Sequence, residues 1–138
     1  SLHGSLEIAR RCGAPSAVSI ALLALGLERF TVDGDAASAR SLFQEAADLS
    51  QAAGFHKRTG QALFELGMLT CFESRFDEAR SSAKRLLEVG QRYHIQHAMR
   101  GASILSAYLC IWQGDFSAGK RYCEQAHRRL ASGGSSAR

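Results

Sequence analysis

Proline is almost missing: Pro15 is the one example in 138 residues, so little in the chain forbids helix. Strict alternation of apolar and polar residues in β-branched runs is missing too, which argues against strands. The apolar stretch Ala21–Leu27 falls far short of the roughly 20 residues a membrane span needs. No charged, apolar and small-residue series marks a secretory signal. Cysteine is scarce: Cys12, Cys71, Cys110 and Cys123, with no C-x-x-C spacing, so thiols in a reducing compartment are expected and a disulfide scaffold is excluded. There is no glycine-rich phosphate loop, no G-x-S-x-G and no H-E-x-x-H, and no nucleophile stands beside a histidine, so no catalytic residue and no cofactor is expected. The chain begins without methionine, whose only examples are Met68 and Met99, and reads as a piece of a larger protein.

What is present is the composition of a soluble globular domain, 46% apolar and 22% charged. Such a length should bury roughly two thirds of the unfolded surface. Net charge is +4, and the surplus is one-sided. Residues 1–60 carry six basic and six acidic side chains, whereas residues 61–138 carry 11 and seven. Much of that charge alternates in sign, as in Arg75-Phe76-Asp77-Glu78-Ala79-Arg80, which describes a solvated helix face. Aromatics are not interleaved with the basic residues, so nucleic acid is a disfavoured partner.

Apolar residues recur at helical spacing. Leu42, Phe43, Ala46, Ala47 and Leu49 form one stripe, and Ile104, Leu105, Tyr108, Leu109 and Ile111 another. Above this lies a longer period. Gly34-Asp35-Ala36-Ala37-Ser38-Ala39-Arg40, Ser74-Arg75-Phe76-Asp77-Glu78-Ala79-Arg80 and Gly114-Asp115-Phe116-Ser117-Ala118-Gly119-Lys120 align at a spacing of 40. Each begins as a turn and enters a helix, with Asp35 and Asp115 placed to cap it. Ala39, Ala79 and Gly119 are small in every copy, as close helix packing requires. Further along come Phe43, Ala83 and Cys123, then Ala46, Leu86 and Ala126; twelve residues back come Leu27, Gly67 and Ala107. Gly13 and Gly54 suit left-handed helix stops. The spacing predicts helices over 3–12, 16–32, 35–53, 57–72, 75–92, 95–113 and 115–131. Each unit is a helix, a turn and an antiparallel partner.

This pattern resembles the tetratricopeptide (TPR) repeat in a long variety of about 40 residues. Leu66, Gly67, Ala79 and Leu86 occupy the family's main packing places, while Gly26-Leu27 and Ser106-Ala107 depart from its leucine–glycine pair. The resemblance implies an all-α, right-handed superhelical array of antiparallel hairpins with seven helices, a TPR-like α-solenoid. It implies one domain over 1–131: the end of a truncated repeat at 1–14, repeats at 15–53, 54–93 and 94–131, and a flexible tail at 132–138. The Ala/Arg/Gly-rich style is similar to arrays in bacterial MalT/LuxR-type regulators and cyclase-associated signalling proteins.

In such arrays the first helix of each unit lines a concave face. Carried over, that face shows Ala21, Ala24 and Glu28, then Gln61, Phe64, Met68 and Phe72, then Ile104, Tyr108 and Trp112. An apolar, aromatic groove suits a peptide or protein partner; the competing view is that these side chains fill a core. Chaperone tails held by a carboxylate clamp are excluded, because the matching places carry no cation. The expected role is a non-enzymatic, cytoplasmic, partner-binding scaffold within a regulatory protein. The alternatives are an inducer-sensing arm and a homodimerising module; no membrane role is expected. His94 and His97 stand three apart but lack further ligands, so no metal is expected. Cys110 and Cys123, on facing helices of one hairpin, read as small buried hydrophobes.

Overall fold

The computed structural model describes residues 1–136, with side chains through Ala131. It is all helical, and among the described residues there is no strand. Seven helices pack consecutively: α1 (Leu2–Cys12), α2 (Pro15–Thr31), α3 (Ala36–Ala52), α4 (His56–Phe72), α5 (Phe76–Arg92), α6 (Gln96–Trp112) and α7 (Phe116–Ser136). This is the arrangement of a helical repeat array. α7 continues past its expected end at 131; the flexible tail expected over 132–138 lies outside the described residues at 137–138 and is helical backbone before them.

The helices stop where the backbone turns left-handed. Gly34, Gly54, Ser74, His94 and Gly114 have φ of 66°, 79°, 60°, 56° and 82°, and they recur at intervals of 20 residues. Gly13, at 65°, closes α1. At three of these stops the same pair of bonds recurs. The N–H groups of Phe55, Arg75 and Asp115 donate to Ser50, Thr70 and Cys110 carbonyls at 2.8 Å. Those of Gly54, Ser74 and Gly114 donate three residues back, at 3.0–3.2 Å. This paired closure satisfies carbonyls that a helix end leaves open. Asp35 caps α3 as expected, accepting from the Ser38 N–H at 3.1 Å and the Ser38 hydroxyl at 2.6 Å. Asp115 likewise accepts from the Ala118 N–H at 3.1 Å.

One turn is longer than the rest, and it corrects the alignment of the first repeat. Residues 32–35 link α2 to α3, whereas 53–55, 73–75, 93–95 and 113–115 link the later pairs. Asp35 N–H therefore reaches back to Arg29, one residue further than its counterparts reach. Counted from the helix starts, the residue matching Gly67 and Ala107 is Gly26, not Leu27. The pair matching Leu66-Gly67 is Leu25-Gly26, so the apparent departure in the first repeat disappears.

The chain forms two compact units, Ser1–Leu66 and Gly67–Arg138, divided within α4. In the first unit Leu22, Leu25, Phe43, Ala46, Ala47 and Leu63 are buried. Gly26 lets α3 approach α2, since a Cβ there would sit 2.6 Å from Phe43 Cε1. Arg58 on α4 donates to the Ser16 hydroxyl on α2 at 3.0 Å, and the buried Ser50 and Thr59 hydroxyls meet at 3.0 Å. In the second unit Cys71, Ala79, Ala83, Leu105 and Leu109 form a cluster, with Met68 and Phe76 packed on it. A Cβ on Gly67 would collide with Leu105 Cδ2, and one on Gly119 would lie 2.9 Å from Ile111 Cγ1. Ala39, Ala79 and Gly119 are buried, as their small size predicts.

Candidate functional site

The expected groove residues divide between the units. Gln61, exposed, and Phe64, half-buried, belong to the first unit. Met68, Phe72, Ile104, Tyr108 and Trp112 belong to the second. Within that second unit the structure brings Phe72 and Trp112 together: their rings meet edge to face at 6.3 Å and 83°. Both are about half exposed, at 51% and 53%, and Tyr108, one helical turn before Trp112, is 41% exposed. Ile111 beside them is also exposed. Met68 and Ile104 are half-buried, and Met68 contributes to the core cluster instead of standing clear of it. The product is an exposed strip of Phe72, Tyr108, Ile111 and Trp112 at the ends of α4 and α6.

In the first repeat the realigned α2 corrects the expected face. Ala21 is in the core. The residues matching Gln61, Phe64 and Met68 are Ile20, Leu23 and Leu27, of which Ile20 and Leu27 are exposed. One further expectation changes. Cys123 is exposed, not buried, and both it and Cys110 are free thiols. Its counterparts Phe43 and Ala83 are buried, and Ala83 lies against Leu105 and Leu109 of the following helix; no described helix follows α7 to cover Cys123. His94 is a turn residue with left-handed backbone, the place that glycine takes at 34, 54 and 114 and serine at 74. Among the described residues no group of three or more His, Cys, Asp or Glu comes together.

One cavity has no signature in the amino-acid sequence. A cleft of about 500 Å³ opens within the second unit, walled by α5, α6 and α7. Arg80 and Lys84 line it from α5, Ser103 and Ser106 from α6, and Tyr122 and Gln125 from α7. Apolar area comes from Ala83, Leu87, Ala102 and Leu109. None of the expected groove residues lines it. Ser103 ties the α6 wall to α7: its hydroxyl donates to the Met99 carbonyl at 3.2 Å and lies 3.3 Å from Gln125 Oε1. Cys110 also lines the cleft, and burial raises its thiol above the ordinary range. Arg80 and Lys84 read in the sequence as members of a solvated face. Only the packing of α5 and α7 on α6 gives them a cavity to border.

Elsewhere, burial raises the Glu65 carboxyl above the ordinary glutamate range. Hydrogen bonds from the Ser38 hydroxyl and N–H lower the exposed Asp35 carboxyl. No helix among the described residues is long and apolar enough to cross a membrane.

The chain matches no family model and no curated protein.

Proposed function

We propose that this chain is a TPR-like, non-enzymatic scaffold module that binds a protein or peptide partner through the exposed strip of its second unit. The reading is supported first by the edge-to-face pair of Phe72 and Trp112, half exposed beside Tyr108 and Ile111. Large aromatics held at a surface by rigid helices are effective anchors, because little side-chain entropy is lost when a partner covers them. Each well-covered anchor contributes about 1.5–3 kcal/mol. The TPR resemblance is supported by the 20-residue recurrence of helix stops and by Leu25-Gly26 aligning with Leu66-Gly67. A cytoplasmic regulatory protein of bacterial signalling type is the setting this reading implies.

Affinity capture from a source-cell lysate tests it, comparing the wild-type chain with a Phe72→Glu/Trp112→Glu variant. Both substituted residues are exposed, so circular dichroism should show unchanged helicity. A protein held by the wild type and released by the folded variant is the expected result. Equal capture by both folded proteins counts against the strip. The inducer-sensing alternative draws its support from the cleft walled by α5, α6 and α7. Self-association through the same strip predicts a concentration-dependent mass that the double variant abolishes.

A further inference from the structure

We propose that the cleft between α5, α6 and α7 binds a small organic carboxylate with an apolar body. The inference stands apart from the partner-binding reading, since it uses different residues. Ser103, Ser106 and Cys110 lie on the side of α6 opposite Ile104, Tyr108 and Trp112, as the 100° step per residue requires.

Size is the first argument. About 500 Å³ falls within the range of small-molecule sites. Charge is the second. The lining holds two cations, Arg80 and Lys84, and no carboxylate. Arg80 is already engaged, its Nη2 lying 2.6 Å from Asp77 Oδ1. Lys84, one helical turn further along α5, makes no ion pair among the described residues. The composition of this part of the chain has the same sign: from residue 67 onward it has 11 basic side chains against six acidic ones. Cys110 adds no competing anion, because its burial favours the neutral thiol.

The neutral lining sets the rest of the ligand. Ala83, Leu87, Ala102 and Leu109 offer an apolar wall that a bare inorganic anion would leave uncovered. Ser106 and Tyr122 add hydroxyl donors suited to carboxylate oxygens. One available ammonium with neutral donors matches a single negative charge. A phosphate ester would call for a second free cation or a cradle of backbone N–H groups. The occupant therefore has one carboxylate head and a hydrocarbon or aryl body.

Isothermal titration calorimetry on the full chain tests this with decanoate, below its micelle concentration, and with decanol as the uncharged control. Decanoate should bind at least about tenfold more tightly than decanol, the step expected from one partly buried charge contact. Lys84→Glu, at an exposed position that the core does not use, should remove that preference and leave decanol binding unchanged. Ser106→Phe, which fills the cleft, should abolish binding of both. The Phe72→Glu/Trp112→Glu variant should bind decanoate like the wild type. No decanoate binding, equal affinity in Lys84→Glu, or loss in the Phe72/Trp112 variant would each overturn the proposal.

Discussion

Two positions in the helix stops carry side chains where the backbone favours none. Ser74 and His94 hold φ of 60° and 56°, a conformation in which Cβ crowds the carbonyl oxygen. Glycine occupies the equivalent places at 34, 54 and 114. Ser74→Gly and His94→Gly should each raise stability by about 0.5–1 kcal/mol, strain relief exceeding the added freedom of the unfolded chain. Thermal unfolding of the single variants would read it, and a loss of stability would show that the native side chains contribute contacts of greater worth. Glu65 offers a pH-dependent counterpart. Burial raises its folded-state carboxyl pKa, so the folded state holds the proton more tightly than the unfolded one. Its contribution is thus favourable at low pH and is lost as pH rises through the folded pKa. Glu65→Gln should raise the unfolding midpoint at pH 7, and the gain should shrink as pH falls through the raised folded pKa towards the ordinary glutamate range. A gain independent of pH would mean that packing, not charge burial, sets the difference.

At the scale of the helix, the decisive feature is close approach at the twelfth residue of α2 and α4. Gly26 faces the Phe43 ring, and Gly67 faces Leu105, both fully or almost fully buried. Ala107 occupies the same place in α6 and is buried with its methyl accommodated. Gly67→Ala should therefore destabilise by about 1–3 kcal/mol, the usual cost of forcing a methyl group into a packed core. The helix-propensity gain of alanine, about 1 kcal/mol, offsets only part of that cost. Denaturant melts would show a lower midpoint with an unchanged slope. Stability equal to the wild type would mean that Leu105 repacks freely. The leucine–glycine signal at 66–67 was legible in the sequence because its copy has the regular turn length. At 25–26 it was obscured by one extra turn residue, which no periodicity of 40 can register.

For the molecule as a whole, two compact units and consecutive helix packing predict local responses to local damage. In repeat proteins each element draws its stability from its neighbours in the chain. Gly26→Ala, which strains the α2–α3 contact, should speed amide hydrogen exchange most in α2 and α3 and least in α6 and α7. Uniform acceleration along the chain would instead indicate a single cooperative transition. The candidate sites differ in how far the sequence exposed them. Tyr108 and Trp112 lie four apart on one helix, so their shared face follows from the helical period. The meeting of Phe72 with Trp112 joins residues 40 apart, and the same 40-residue repeat brings them into register. Met68 shares that register but packs on the core, a distinction that depends on how α5 sits against α4 and α6.

The sequence by itself determined the helices, their stops and their period. Those depend on contacts within about five residues, on left-handed positions and on caps, all of which one chain segment carries locally. It also determined which small residues mark close helix crossings, since a missing side chain is visible wherever the helix lies. Only the tertiary structure decided the alignment of the first repeat, the exposure of Cys123 and the cleft bordered by Lys84. Each of these depends on which neighbouring helix covers a given face, and at what distance. A lysine on a polar stripe has the same sequence signature over open water as over a cavity. The packing of α5 and α7 on α6 distinguishes the two.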